Sequence, residues 1–255
     1  MRNTMRAIRE HKAAIFNEYP EEQILGIFLY GSQNYGINTE NSDVDTKAII
    51  IPTFDDLTIG GNPISREIHF QNGEHCEVKD IRLISDMFKK QNLNFLEILF
   101  TDYCWINSRF NAIWRTYFVN HAEEICHMNE AKAIKSITGQ IISSLKRKNL
   151  DGKGFANGLR MYYFLKSYLT RKPYYDCFDA TMLPIEVYDE IMVYKKKEKN
   201  PTEEDVNQLL SLVQDIEKDF VVDEYDARYR LERGNRILNE GVQILIKENI
   251  KGEFV

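Results

Sequence analysis

One polar stretch between two apolar runs constrains the fold of this chain more than any other feature. Residues 24–30, ILGIFLY, form a short run rich in branched and aromatic side chains, which predicts a buried strand. The polar stretch GSQNYGINTENSDVD occupies residues 31–45, and the second apolar run, TKAIIIP, begins at Thr46. A glycine-serine pair and two nearby carboxylates therefore lie between two predicted strands.

Gly31 and Ser32 follow the first predicted strand directly. A tight turn at this point aims backbone N–H groups and the serine hydroxyl at an anion, and phosphate is the natural candidate. The stretch contains neither GK[ST] nor GxGxxG, so it is neither a P-loop nor a dinucleotide fingerprint. We expect Gly31 and Ser32 to bind the phosphates of a nucleotide.

Asp43 and Asp45 are two residues apart. On a strand both side chains leave the same face, with Cα atoms about 6.5 Å apart. Such crowding is costly unless a cation lies between the carboxylates. Mg²⁺ accepts a few carboxylates together with phosphate oxygens, and two such ions clamp the oxygens of a phosphoryl transfer. The pair predicts catalysis and binding of two Mg²⁺ ions, or Mn²⁺ in their place; alternatively, Asn41-Ser42-Asp43 forms only a turn.

The combined pattern GSxxYGxxTxxSDxD, residues 31–45, resembles the signature of the DNA polymerase beta-like nucleotidyltransferase superfamily. Tyr35-Gly36, Ser42 and the segment NFLEILF, residues 94–100, resemble its YcgL-like branch of predicted nucleotidyltransferases. The likeness covers residues 24–100 and is faint in the helical remainder.

The resemblance implies a small mixed β-sheet flanked by helices, and magnesium dependence. It also implies transfer of a nucleoside monophosphate from an NTP, with ATP expected, to an acceptor hydroxyl. RNA or tRNA, a protein side chain and a small molecule all remain open as the acceptor.

The resemblance further implies a third carboxylate on a neighbouring strand, and two residues compete for this place. Cys76 and Val78 are the natural core-facing positions of their strand, so Glu77 should point to the other face. Asp80 suits the N-cap of a helix that begins at Ile81. This pattern favours Glu77 as the third catalytic and metal-binding residue, with Asp80 as the alternative.

Basic side chains supply further candidates for nucleotide binding. Lys47 shares the predicted strand face of the aspartates and either contacts a phosphate or balances the carboxylates. Lys153, Asn157 and Arg160 form a polar stripe on one predicted helix, which binds the triphosphate or base if it faces a cleft and is ordinary surface if it faces water. Residues 131–172 hold ten basic residues and one acidic residue, which indicates a bound triphosphate, an RNA acceptor or a solvated helix surface.

The organisation of the chain predicts an α+β fold with two domains. A helix is expected over about residues 4–18, and Asn72-Gly73 is a strong signal for a hairpin between two strands. From Asn107 onward the spacing of apolar residues is helical almost to the end. We therefore predict a nucleotidyltransferase α/β domain over residues 1–106 and a helical domain over residues 107–255.

Composition excludes several other classes of protein. Hydrophobic residues make up 43% of the chain, which is ordinary for a folded protein, and no apolar run approaches the length of a membrane span. The four cysteines form no CxxC and the histidines no HExxH, which argues against a zinc enzyme. We expect a soluble, cytoplasmic nucleotidyltransferase without a membrane partner. The alternative is a non-catalytic nucleotide-binding or toxin-neutralising module with the same fold.

Overall fold

A computed structural model describes residues 4–146, 150–220 and 223–253, and in these ranges five strands form one sheet. The strands are β1 (Ile24–Tyr30), β2 (Asp45–Ile50), β3 (Ser65–His69), β4 (His75–Asp80) and β5 (Cys104–Ile106). Their order across the sheet is β3-β4-β2-β1-β5. β2 and β4 run parallel, whereas the other neighbouring pairs run antiparallel. The mixed sheet and the α+β fold class are therefore confirmed.

α-Helices surround the sheet and make up most of the remaining regular structure in the described ranges. They are α1 (Thr4–Phe16), α2 (Phe54–Thr58), α3 (Ile81–Lys89), α4 (Leu93–Leu96), α5 (Ser108–Trp114), α6 (Ala122–Cys126), α7 (Glu130–Leu145), α8 (Gly152–Leu169), α9 (Tyr174–Phe178), α10 (Ile185–Lys195), α11 (Glu203–Asp219) and α12 (Glu224–Glu253). Beyond β5, each regular element in the described ranges is helical, as the sequence predicts from Asn107 onward. None of the described helices combines the length and apolar character that crossing a bilayer requires.

The predicted hairpin around Asn72-Gly73 is confirmed. β3 and β4 pair antiparallel, with Glu67 opposite Glu77 and Ile68 opposite Cys76. Gly73 has a φ of +87°, a conformation that glycine adopts without a steric cost. The turn thereby fixes the register of β4 and decides which of its side chains face which side of the sheet.

Helix α1 covers one face of the sheet. Its Ile8 and Ile15 are buried in a hydrophobic cluster with Ile27, Ala48 and Val78, one residue from each of three neighbouring strands. Alternation along the strands places their intervening residues on the opposite face. A site on this sheet therefore belongs to the face that α1 leaves uncovered.

A buried polar contact also fastens α1 to the sheet. The side chain of His11 is fully buried, with its Nδ1 2.8 Å from the hydroxyl of Thr46 and its Nε2 3.3 Å from a carboxylate oxygen of Glu74. Its ring stacks on Phe70 at a centroid distance of 4.0 Å. These contacts hold the helix in one position on the strands.

The other face of the sheet packs against later helices. Phe28 of β1 meets Trp114 of α5 with ring centroids 5.2 Å apart, and Ile49 of β2 belongs to the same hydrophobic cluster. One core thus joins the strands to helices that follow residue 106. The change from strand to helix lies at the predicted point, but the division into domains 1–106 and 107–255 stays a prediction.

Candidate nucleotide site

The register of three strands gathers polar side chains on the face opposite α1. Tyr30, at the end of β1, pairs with Asp45, the first residue of β2. Lys47, two residues further along β2, pairs with Glu77 of β4. Because alternate strand residues share a face, these four side chains lie side by side.

The two candidates for the third carboxylate lie in different places. Glu77 is on the face of Asp45, and its neighbours Cys76 and Val78 are buried on the α1 side, as strand alternation predicts. Asp80 is the N-cap of α3, where its carboxylate accepts a hydrogen bond from the backbone N–H of Arg82 at 2.8 Å. This placement favours Glu77, whose role in catalysis stays a prediction.

Lys47 is held beneath the surface by Glu77. Its side chain is 2% exposed, and its ammonium donates a hydrogen bond to Glu77 and lies 3.7 Å from the ring centroid of Tyr30 and 4.2 Å from that of Phe95. Lys79 pairs with the other oxygen of Glu77 at 3.0 Å. Burial alone raises the pKa of Glu77, but the charges and hydrogen bonds of the two lysines outweigh it, so this pKa is lowered. The position of Lys47 favours charge balance over a contact with phosphate.

Asp43 and Asp45 do not share a strand, contrary to the expectation from their spacing. Pairing between β1 and β2 begins at Tyr30 and Asp45, so Asp43 has no strand opposite it and lies exposed in the preceding loop. Asp45 accepts a hydrogen bond from the backbone N–H of His75 at 3.2 Å, and the Nδ1 of that histidine is 2.9 Å away. Burial raises the pKa of Asp45, the charge of His75 lowers it, and the charge of Asp43 raises it further. The two carboxylates are therefore close enough to repel each other.

The donor set offers a divalent cation two carboxylates rather than three. Within the ranges that the structure describes, no three side chains of the metal-binding types converge on one point. Asp43 and Asp45 suit Mg²⁺, which takes one or two protein carboxylates and fills its remaining positions with water and phosphate oxygens. Glu77 is occupied by two lysines and is not free to join them in this arrangement.

The Gly31-Ser32 turn differs in one respect from its predicted role. Gly31 has a φ of +88°, as expected for a tight turn, but its N–H donates to a carboxylate oxygen of Glu97 at 2.9 Å. This donor is therefore directed into the protein and not at an external anion. Ser32 is half-buried, and its backbone oxygen accepts from the N–H of Ile37 at 3.2 Å, which closes the turn.

Sequence reasoning missed Glu97, which proves to be the central carboxylate beneath the turn. It is fully buried and accepts hydrogen bonds from the Nδ2 of Asn34 at 3.3 Å and the hydroxyl of Tyr35 at 3.0 Å, besides that of Gly31. Burial raises its pKa to about 7, although these hydrogen bonds and the charge of Lys47 oppose the shift. The signal in the sequence was one charged residue inside the apolar segment NFLEILF.

The polar stripe on α8 runs from the surface into the interior. Lys153 is exposed, Asn157 is half-buried and Arg160 is only 2% exposed. The guanidinium of Arg160 lies 3.7 Å from the ring centroid of Tyr35, and its Nη2 donates to the side-chain oxygen of Asn157 at 3.3 Å. Its Nε and Nη1 have no hydrogen-bond partner among the described residues. The stripe is therefore not ordinary solvated surface at its inner end.

A third cation from α10 joins this region. Burial and then the positive charges of Lys153 and Arg160 lower the pKa of Lys195 to about 8, while Asp43 and Asp151 oppose that shift. Each of these four charged groups accordingly lies within electrostatic range of Lys195. Lys195 begins the run KKKEK, in which no pattern distinguishes it from the neighbouring lysines.

The rest of the basic segment has other surroundings. Lys132, Lys135 and Lys166 are exposed, whereas Arg171 pairs with Glu130. Arg147 and Lys148 lie outside the described residues. A cavity of about 680 Å³ opens beside Arg171, between α8, α11 and α12, and its lining includes none of the predicted site residues.

No protein-family model matches the chain, and no curated protein matches it. The likeness of residues 31–45 to the nucleotidyltransferases therefore depends on that motif together with the side chains placed around it.

Proposed function

We propose that the protein is a Mg²⁺-dependent nucleotidyltransferase that transfers a nucleoside monophosphate from an NTP, with ATP expected, to an acceptor hydroxyl. The Gly31-Ser32 turn binds the triphosphate from one side through Ser32, because the Gly31 N–H already donates to Glu97. Lys153, Arg160 and the newly identified Lys195 bind it from the other, and Asn157 orients Arg160.

The observation that best supports this proposal is the buried guanidinium of Arg160. A buried guanidinium with two unpartnered nitrogens is costly, because a charge taken out of water must be paired and hydrogen-bonded. It lies over Tyr35, three residues beyond Ser32 in the predicted phosphate-binding loop. The oxygens of a triphosphate match both its charge and its fork of donors. A negatively charged ligand at this loop therefore supplies the partners that Arg160 lacks.

The carboxylates of Asp43 and Asp45, where the loop meets β2, suit a metal ion. Mg²⁺, when held by Asp43 and Asp45 and completed by Glu77, would neutralise charge on the phosphates. Asp45 is already oriented by His75, whose backbone N–H and Nδ1 both lie within 3.2 Å of one carboxylate oxygen. Glu77 needs to leave one of its lysine partners to take part.

The protein's own residues account for the remaining steps of the transfer. The acceptor oxygen forms a bond to the α-phosphorus, pyrophosphate leaves, and the proton of the acceptor hydroxyl passes to a carboxylate oxygen of Glu77. In the ion-paired arrangement Lys47 and Lys79 keep that carboxylate ionised, as its lowered pKa indicates, and the lysine that stays in contact would keep it so during transfer. Positioning and charge neutralisation contribute most of the rate enhancement in phosphoryl transfer.

The ion pair between Lys47 and Glu77 favours a second candidate function. A carboxylate that two lysines neutralise is a poorer metal ligand, which suits a non-catalytic nucleotide-binding or toxin-neutralising module that retains the fold. Such a module binds an NTP through Arg160 and Lys153 but transfers nothing.

The test combines binding with transfer. The protein is incubated with each of the four α-labelled NTPs and Mg²⁺ or Mn²⁺, together with cell extract separated into RNA, protein and small-molecule fractions. Asp43→Asn and Asp45→Asn should abolish labelling, whereas Asp86→Asn, an exposed aspartate on α3, should retain it. Label in the RNA fraction, with affinity that falls steeply as salt rises, would identify an RNA acceptor.

Three outcomes contradict parts of the proposal. If either aspartate variant keeps more than about a tenth of wild-type turnover, a barrier change under about 1.4 kcal/mol, the metal-site assignment is wrong. If the protein binds NTP but labels no fraction, the non-catalytic module is the correct function. If it binds no NTP, the nucleotide site itself is wrong.

A further inference from the structure

The loop that carries Gly31 and Ser32 is held from below by one carboxylate. Three donors of the loop, the Gly31 N–H, the Asn34 amide and the Tyr35 hydroxyl, converge on the two oxygens of Glu97. Glu97 itself begins a short 3-10 helix, Glu97–Leu99, which packs beneath β1. The link therefore joins two segments more than 60 residues apart in the chain.

The same loop is held from the other side by the C-terminal helices. The backbone N–H of Ala180 donates to the carbonyl of Tyr35 at 3.0 Å, and the hydroxyl of Tyr188 donates to the carbonyl of Gly36 at 2.9 Å. Neither of these bonds involves Gly31. Within the described ranges, Glu97 is the only side chain that forms a hydrogen bond with Gly31. Glu97 thus controls the end of the loop where the turn begins.

Tyr35 relays this constraint to the nucleotide site. Its hydroxyl donates to Glu97 while its ring lies under the guanidinium of Arg160. Glu97 therefore fixes both the Gly31-Ser32 turn and the Tyr35 ring that lies under Arg160. In this way it sets the distance between the turn and Arg160, the two proposed phosphate-binding groups. A displacement of about 1 Å in such a pair reduces rates up to about a hundredfold.

We propose that Glu97 is a positioning residue of the nucleotide site, which holds the Gly31-Ser32 turn and Arg160 at the spacing that a triphosphate requires. This inference rests on the proposed function. Glu97 is buried beneath the loop, so it acts through Gly31 and Tyr35 and does not contact the nucleotide.

Glu97→Ala and Glu97→Gln separate positioning from general stability. The alanine leaves three loop donors without their acceptor, whereas glutamine keeps an acceptor oxygen of the same shape. Asn249→Ala is the matched control, because Asn249 is 1% exposed and its amide donates to the carbonyl of Pro52, away from the loop. The measurements are the melting temperature, hydrogen exchange of the Gly31 amide without nucleotide, and the Kd of each Mg-NTP with kcat and KM of transfer.

The expected result is a distinct pattern for each variant. Glu97→Ala should speed exchange at Gly31 and weaken NTP binding about tenfold to a hundredfold at a temperature where all variants are folded. Glu97→Gln should stay within about threefold of wild type, and Asn249→Ala should lower the melting temperature but leave the Kd unchanged.

Two results would overturn the positioning role and leave the proposed function standing. Unchanged exchange at Gly31 in Glu97→Ala shows that the turn does not depend on the carboxylate, whether or not a nucleotide binds. Faster exchange with an unchanged Kd shows that the nucleotide does not depend on the turn. Failure of the wild-type protein to bind any NTP would overturn the proposed function, and the positioning role with it. This outcome differs from the other two because the exchange measurement needs no ligand and still shows whether Glu97 holds the turn.

Discussion

Lys47 donates a hydrogen bond to Glu77 from the paired position on the neighbouring parallel strand. The side chain of Lys47 is 2% exposed and that of Glu77 is 16% exposed, so the pair lies at the inner wall of the candidate site. A buried pair of this kind is weak evidence for stability but makes the loss of either partner expensive, because the remaining charge has no water around it.

Removal of one partner should therefore lower the free energy of unfolding more than removal of both partners. Glu77→Gln should lower the free energy of unfolding by about 1–3 kcal/mol, because the Lys47 ammonium then faces a neutral amide. The double variant Lys47→Met with Glu77→Gln should return to within about 1 kcal/mol of wild type, since methionine fits between the rings of Tyr30 and Phe95. Urea denaturation of the single and double variants checks this. Strict additivity of the two single losses would show that the pair is not coupled.

Turnover should discriminate between the two carboxylates near the end of β4. Glu77→Gln should nearly abolish nucleotidyl transfer, whereas Asp80→Asn should be mildly affected, because Asp80 caps α3 and pairs with Arg82 at 2.6 Å. Asparagine keeps the cap, because its side-chain oxygen also accepts from the Arg82 N–H, so stability should fall by about 1 kcal/mol at most through loss of the ion pair with Arg82. The opposite ranking in the transfer assay would assign the third carboxylate to Asp80.

Arg160 should show opposite effects on affinity and stability. Arg160→Met should weaken NTP binding about tenfold to a hundredfold and do so equally for the four bases, because phosphate contacts carry no base information. The melting temperature should stay the same or rise, since the substitution removes a buried charge with two unpartnered nitrogens. Isothermal titration and thermal denaturation measure the two effects. Weaker RNA binding with unchanged NTP affinity would reassign α8 to the acceptor.

Glu97 should make stability depend on pH below neutrality. Its pKa in the folded protein is about 7, raised from 4.5, so the folded state favours the protonated carboxyl. The resulting contribution of Glu97 to the free energy of unfolding is fully present below about pH 4.5 and is lost as the pH rises to about 7. Relative to Glu97→Gln, wild type should lose on the order of 3 kcal/mol of unfolding free energy between these values. A pH-independent difference between the two proteins would mean that Glu97 has an ordinary pKa.

The parts of the site that the sequence predicts depend on local rules. Alternation along a half-buried strand assigns Cys76 and Val78 to the core and Glu77 to the site face, and the Asn72-Gly73 turn fixes that register. The signature predicts that the site lies in the loop between β1 and β2, which stays a prediction. Each of these inferences needs only neighbouring residues.

The parts that the sequence does not predict depend on contacts across the fold. Glu97 matters because its partners Gly31 and Tyr35 come from a distant loop, and Lys195 matters because α10 packs beside α8. The position of Asp43 depends on where pairing of β1 with β2 begins, which spacing alone cannot locate. Periodicity along one helix likewise cannot say that Arg160 faces inward while Lys153 stays in water.

The contact between Phe28 and Trp114 has a consequence for dissection of the protein. A fragment that ends at Ile106 contains the whole signature and all five strands of the described ranges, yet it exposes the apolar sheet face that the later helices cover. Such a fragment should aggregate or remain partly unfolded, because exposed apolar patches of this kind promote association. The motif of residues 31–45 is thus not an independently folding unit, and the intact chain should unfold in a single transition.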